Sequence, residues 1–108
     1  MAVLLAFVLA VTGLHGVVTR GPITPVCQVG KPCSEPAVGA VLVFSHDGRI
    51  AARARAGAGG RYTVRLRPGY YAVRVSPPQT IGGLKPHQVR VRSGVSGRVD
   101  FQIDTGIR

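Results

Sequence analysis

The fold is decided by the stretch Gly59–Val73, which reads GGRYTVRLRPGYYAV. Apolar and polar residues alternate from Arg61 to Arg67, and the same alternation runs from Tyr70 to Ser76. Successive side chains of a β-strand point to opposite faces, so each half predicts a strand with one buried face. The dipeptide Pro68-Gly69 between them is typical of a tight turn. The stretch therefore predicts a β-hairpin.

Two more strands are predicted downstream, over 88–92 and 98–104, because the alternation recurs in both. The link Ser93–Gly97 is turn-like, so these strands are interpreted as a second hairpin. The segment Ser76–Pro86 is rich in Pro and Gly. We expect it to carry the chain from one sheet to the other.

Three further strands are predicted upstream. The nearly continuous apolar run over 39–45 suits a central strand, and His46-Asp47-Gly48 is expected to turn it into a strand over 49–56. An edge strand over 23–26 completes the set, since the prolines in and beside it would not be tolerated in a central strand.

The pattern predicts an all-β fold, an antiparallel β-sandwich of about seven short strands. No stretch from residue 20 onward shows convincing helical spacing. The inward-facing residues of the strands form the predicted core: Leu42, Phe44, Ile50, Tyr62, Val64, Leu66, Tyr71, Val73, Val75, Val89, Val91, Val99, Phe101 and Ile103.

The N-terminal stretch is apolar, and the first charged residue is Arg20. This predicts a signal peptide or membrane anchor over 1–19, followed by a single domain over 20–108. A basic start is missing, and Gly13 and Gly16 each offer a small residue for cleavage. A cleaved signal is favoured, because about 20 apolar residues are needed to span a bilayer. Membrane contact is expected only through this leader, if it stays uncleaved.

The two cysteines, Cys27 and Cys33, enclose a short loop. An even pair in an exported chain favours a disulfide and a secreted or envelope location. As metal ligands, two thiolates would supply half of a tetrahedral site, and no Cys or His follows at the required spacing. We predict a disulfide, with no metal and no cofactor.

The chain carries 14 Lys and Arg against 4 Asp and Glu, a formal net charge of +10. Such a charge attracts anionic partners and weakens in salt, although Arg can also fill ordinary exposed strand positions in a protein from a GC-rich genome. Specific nucleic-acid binding is not expected, because only Tyr70 offers an outward aromatic for base stacking. The candidate anion-binding residues are the outward arginines Arg53, Arg55, Arg65, Arg67, Arg74, Arg90 and Arg92.

The stretch Gly59–Val73, with Gly39–Phe44 before it and Val99–Ile103 after it, resembles the bacterial carboxypeptidase-regulatory-like domains. These belong with the transthyretin-like and collagen-adhesin B-type modules. The resemblance implies a prealbumin-like or Ig-like sandwich. It also implies a non-catalytic binding or spacer module of the cell envelope. The basic charge suggests an anionic surface polymer as its ligand, and a protein partner is the other candidate. A purely structural domain without a ligand is the alternative.

Catalysis is not expected, because His46 and His87 fall in different connections and the four carboxylates are scattered. His15 lies in the predicted leader. Hydroxyisourate hydrolases, which share the transthyretin-like fold, are a remote alternative. The chain does not match their motifs, since its N-terminal strand is predicted to lack histidine and its C-terminus lacks their tetrapeptide ending. We therefore predict that the protein is not an enzyme.

Overall fold

The structure is a computed structural model of the 108-residue chain and describes residues 12–76 and 83–106. Within these residues there is no α-helix, and one 3₁₀ turn, Ala58–Gly60, follows the fourth strand. The strands are β1 Gly13–Gly21, β2 Glu35–Pro36, β3 Val41–His46, β4 Arg49–Arg55, β5 Arg61–Arg65, β6 Gly69–Ser76, β7 Leu84–Lys85, β8 Gln88–Val91, β9 Ser96–Arg98 and β10 Phe101–Asp104.

These strands form two packed sheets, which confirms the predicted all-β sandwich. The four-stranded sheet is antiparallel, in the order β4-β3-β6-β8. In the six-stranded sheet, β1 is the central strand. Its first half pairs with β5 and β9, its second half pairs with β2 and β10, and β7 adds to β10. The pairs of β1 with β9 and β10 are parallel, and the remaining pairs are antiparallel.

The core lies between the sheets and is organised around Phe101. Its ring meets Phe44 edge-on with centroids 6.2 Å apart and Tyr62 at 5.5 Å. Most of the predicted core residues are buried, and Val64 and Val99 are half-buried against the core. Ile50 was predicted to be in the core and is exposed.

Ile50 is exposed because β4 contains a β-bulge. Phe44 pairs with Ala52, but the next residue of β3, Ser45, pairs with Ile50, so Ala51 is left unpaired. One extra residue reverses the inward and outward alternation of the strand. The alternation holds from Ala52 onward, and Ile50 is turned to the outer face.

The strand β1 corrects the predicted boundary between leader and domain. Residues 13–19 were assigned to the leader, yet they form most of the central strand, and Leu14 and Val18 are buried in the core. An apolar run of this kind fits a buried strand as well as a leader, so hydropathy alone does not separate the two. Residues 1–11 of the predicted leader lie outside the described residues. No helix in the described part of the chain is long and apolar enough to cross a membrane.

The predicted edge strand over 23–26 is wrong, since this segment forms bends rather than a strand. Pro22 and Pro25 have no N–H group to donate to a neighbouring strand. The segment belongs instead to a loop in which Ile23 N–H donates to the Cys33 carbonyl at 2.9 Å. Cys27 and Cys33 form the predicted disulfide, with Cα atoms 5.5 Å apart.

Of the hairpins predicted from the sequence, only β3–β4 is present. Asp47 and Gly48 both have positive φ, as a type I′ hairpin turn requires. β5 and β6 lie in different sheets, and so do β8 and β9. The segments predicted as hairpin turns, Pro68-Gly69 and Ser93–Gly97, therefore lie where the chain crosses from one sheet to the other. β6 and β7 also lie in different sheets, as expected for 76–86, of which 77–82 are outside the described residues.

Candidate anion-binding site

The seven predicted anion-binding arginines do not form one patch. Four lie on the four-stranded sheet, namely Arg53, Arg55, Arg74 and Arg90. Arg65 lies on β5 of the six-stranded sheet, while Arg67 and Arg92 follow the ends of β5 and β8. All seven are exposed.

Two of these arginines have a structural position. Val43 is directly opposite Arg53 on one neighbouring strand and Arg74 on the other, so the three side chains share the outer face. Val43 is nevertheless only 2 % exposed. The aliphatic stem of an arginine can cover apolar surface while its guanidinium stays in water. We infer that Arg53 and Arg74 cover Val43.

A basic cleft of about 620 Å³ lies where β4 approaches the six-stranded sheet. Its cationic or ionisable side chains are His15, Arg55, Arg61 and Arg98, and Tyr62 and Thr63 line it as well. Arg55 is the only one of the predicted anion-binding residues in this lining.

The strand β1 brings these side chains together. His15 pairs with Thr63 of β5 on one side and with Arg98 of β9 on the other, and Val17 pairs with Arg61. Residues paired across neighbouring strands have Cβ atoms about 5 Å apart on the same face. Arg55 joins them because the chain turns after β4, where Gly57 N–H donates to the Arg61 carbonyl at 2.8 Å.

Asp100 provides the acidic partner beside the cleft. Its Oδ1 accepts a hydrogen bond from Val17 N–H at 2.9 Å and lies 3.3 Å from Arg98 Nε. The Val17 N–H bond chiefly, with contributions from Arg98 and His15, lowers the pKa of Asp100 despite some desolvation. Asp100 is therefore ionised at neutral pH and pairs with Arg98.

The guanidinium groups of Arg55 and Arg61 have no hydrogen-bond or ion-pair partner among residues 12–76 and 83–106. Both side chains are exposed. A guanidinium carries five N–H donors in a planar fork that matches a carboxylate or a phosphate. The unpaired positive charge of the cleft thus resides mainly on these two residues.

Tyr62 closes the floor of the cleft and is held there as a hydrogen-bond donor. Its hydroxyl donates to the Val99 carbonyl. Burial, and then the negative charge of Asp100, raise the pKa of Tyr62. The hydroxyl is therefore a fixed neutral donor, and its role is to position the floor.

His15 was assigned to the predicted leader, but it lies on β1 and lines the basic cleft. Its Nδ1 lies 2.8 Å from Ser96 Oγ, so the ring is fixed at the base of the cleft. The N-terminal strand therefore does contain a histidine, and one of the two grounds for setting hydroxyisourate hydrolases aside is wrong.

Arg61 and Arg98 were also missed, although the alternation already placed Arg61 on an outward face. Nothing in the sequence indicated that β5 and β9 flank the same strand.

Within the described residues, no group of three or more His, Cys, Asp and Glu could hold a metal ion. No family model matches the chain, and no curated protein matches it.

Proposed function

We propose that this protein is a non-catalytic binding module of the bacterial cell envelope whose basic cleft binds an anionic polymer of the cell surface. The observation that carries the proposal is the pair of exposed, unpartnered guanidinium groups of Arg55 and Arg61 in one concave site. Repeated carboxylates or phosphates on a polymer would supply the paired oxygen acceptors that both groups lack.

The charge of the whole chain supports this proposal. A formal net charge of +10 draws anionic ligands toward the surface and raises their rate of encounter. Since exposed charges are screened beyond about 8 Å at physiological salt, attraction alone does not select a site. The cleft provides the short-range contacts that would do so.

The location in the envelope is supported by three features. The disulfide is compatible with an extracytoplasmic, oxidising compartment. The apolar residues 1–11 retain the composition of an export signal. The resemblance of Gly59–Val73 to carboxypeptidase-regulatory-like domains points to non-catalytic envelope modules.

The alternative, a structural domain without a ligand, is favoured by the positions of Arg53 and Arg74. Both flank Val43, so part of the arginine content is explained by packing. This explanation does not account for Arg55 and Arg61, which line the basic cleft and whose guanidinium groups form no hydrogen bond or ion pair within the described part of the chain.

The test is calorimetric titration with inorganic polyphosphate at about 0.15 M salt. Replacing Arg55→Ser together with Arg61→Ser removes two charges from the cleft, and we expect at least a ~10-fold loss of affinity, as for charge-assisted hydrogen bonds. The matched control is Arg65→Ser with Arg67→Ser, which removes the same charge from residues that do not line the cleft. Equal losses of polyphosphate affinity in the two double variants would show that binding depends only on general electrostatic attraction, and would overturn the site. Unchanged affinity in the cleft variant would overturn it as well.

A further inference from the structure

A second cavity, of about 780 Å³, lies at the opposite end of β4 from the basic cleft. It is formed on the four-stranded sheet by the β3–β4 turn together with β6 and β8, and we call it the tyrosine cleft. Its side chains include Ser45, His46, Asp47, Tyr70, Gln88 and Arg90. None of the four charged or ionisable side chains of the basic cleft lines it.

The depression in the tyrosine cleft follows from the register of three strands. Ala72 of β6 pairs with Ser45 of β3 on one side and with Gln88 of β8 on the other. Tyr70, two residues before Ala72, therefore points to the same face and pairs with Arg90. The small side chains of Ser45 and Ala72 lie next to the larger ones of Gln88, Tyr70 and Arg90, which leaves a floor bordered by an aromatic side chain.

Tyr70 has a hydrogen-bonded backbone and a side chain that is open to solvent. Its carbonyl accepts a hydrogen bond from His46 Nδ1 at 2.9 Å, and the Arg90 guanidinium carbon lies 5.5 Å from the centre of its ring. The residue is still 69 % exposed. A tyrosine side chain has only two rotatable χ angles, so it loses little conformational freedom when a ligand packs on it.

The groups around Tyr70 match the surface of a sugar ring. A pyranose has an apolar face of C–H groups, which can pack on an aromatic ring, and a rim of hydroxyls. Gln88 offers both a donor and an acceptor, and Asp47 offers acceptors, for such hydroxyls. The Arg90 guanidinium beside the ring would bind a carboxylate on the same sugar. Inorganic polyphosphate has no apolar face and would gain nothing from Tyr70.

We propose that the tyrosine cleft binds a uronic-acid residue, a carboxylated pyranose, of a surface polysaccharide. The inference rests on the proposed function in that the ligand is an anionic polymer, and it adds the chemistry of that polymer. β4, which separates the two clefts, is about 20 Å long at a rise of about 3.3 Å per residue. An extended polysaccharide can span that distance and contact both clefts.

The experiment compares three probes by calorimetric titration: oligogalacturonate, an uncharged galactose oligomer and inorganic polyphosphate. Tyr70→Ala is expected to lower the affinity for oligogalacturonate about 10-fold and to leave that for polyphosphate unchanged. The uncharged oligomer should bind the wild-type protein at least ~10-fold more weakly than oligogalacturonate, because it has no carboxylate for Arg90. The control is Ile50→Ala, an exposed apolar residue of the same sheet that lines neither cavity.

Oligogalacturonate affinity that Tyr70→Ala leaves unchanged would overturn the inference, as would the absence of oligogalacturonate binding to the wild-type protein. The basic-cleft variants separate this failure from failure of the proposed function. If Arg55→Ser with Arg61→Ser leaves polyphosphate binding intact while Tyr70→Ala weakens oligogalacturonate binding, the proposed function fails and the sugar site stands. If the Arg55→Ser with Arg61→Ser variant loses polyphosphate binding while Tyr70→Ala leaves oligogalacturonate binding unchanged, the proposed function stands and the sugar-site inference fails.

Discussion

At the scale of single residues, Tyr71 combines a place in the core with a specific hydrogen bond. Its side chain is buried, and its hydroxyl donates to the Arg67 carbonyl at 2.7 Å. The bond spans Pro68-Gly69, where the chain crosses between the sheets. A tyrosine that bonds to the backbone a few residues upstream at such a corner is common in β-sandwiches. We infer that it stabilises the crossing.

Tyr71→Phe is expected to lower the free energy of unfolding by about 1 kcal/mol, because it removes this hydrogen bond and leaves the ring in place. Denaturant unfolding measures the change. The neighbouring Tyr70→Phe is the control, since no described residue bonds to its hydroxyl, and its effect should stay within about 0.5 kcal/mol. Equal effects of the two substitutions would contradict a stabilising role for the Tyr71 hydroxyl.

Asp100 makes stability depend on pH. Because the Val17 N–H and Arg98 lower its pKa, the folded protein binds this proton more weakly than the unfolded chain does. Its contribution is therefore complete above the unfolded pKa of about 3.9 and is lost as the pH falls below it. Asp100→Asn should melt below the wild type near neutral pH, and the difference in melting temperature should shrink as the pH falls below about 3.9. A difference that stayed constant across this range would show that Asp100 does not act through its charge.

At the scale of elements, β1 is the strand on which the six-stranded sheet depends. Leu14 is 2 % exposed and lies in the core cluster. We expect Leu14→Ala to cost about 2–5 kcal/mol of unfolding free energy, as other buried Leu-to-Ala changes do. Val26→Ala, at an exposed residue of the disulfide loop, should cost less than about 0.5 kcal/mol. If both substitutions were neutral, residues 13–21 would not be part of the folded domain.

Most strands were predicted correctly from the sequence. The errors fall where the alternation of apolar and polar residues gives no sign of the change in structure. In β4 the bulge falls at Ala51, beside Ala52, and two adjacent alanines give no hydrophobic signal of a phase change. The predicted strand over 98–104 is divided into β9 and β10, with Val99 and Asp100 between them. Asp100 binds Val17 N–H with its side chain, an interaction that alternation does not indicate.

Hairpins and crossings were confused for a related reason. Both connections place apolar residues inward on each strand, so alternation satisfies either arrangement. The Asp47-Gly48 turn was predictable because its type I′ geometry demands particular residues. Pro68-Gly69 suits several turn types, and only the packing of the sheets determines which strands become neighbours.

At the scale of the whole molecule, the candidate site depends on strands that are distant in sequence. Arg55 was predicted from its outward position, whereas His15, Arg61 and Arg98 meet only because β1 lies between β5 and β9. Assigning residues 13–19 to the leader removed that strand from consideration. The fold class could be predicted from local pattern, but the site required the topology.

If the chain carries the export signal predicted from its sequence, β1 limits where that signal can be cleaved. A cut after Gly16 would remove Leu14 from the core together with pairs that β1 forms with β5 and β9. A cut after Gly13 would keep Leu14 and almost all of the strand. Of the two candidate positions, only Gly13 is compatible with the fold.

Gly13–Gly21 is the core strand that supports both the sandwich and the basic cleft. Amide hydrogen exchange of the purified protein, followed residue by residue by NMR, tests it directly. We predict that backbone amides in the middle of β1, at Leu14 to Thr19, exchange as slowly as those of β3 and β6, since all three strands are paired on both sides. Exchange in this segment as fast as in the disulfide loop would contradict its assignment as a core strand. The absence of these residues from the purified, folded protein would contradict it as well.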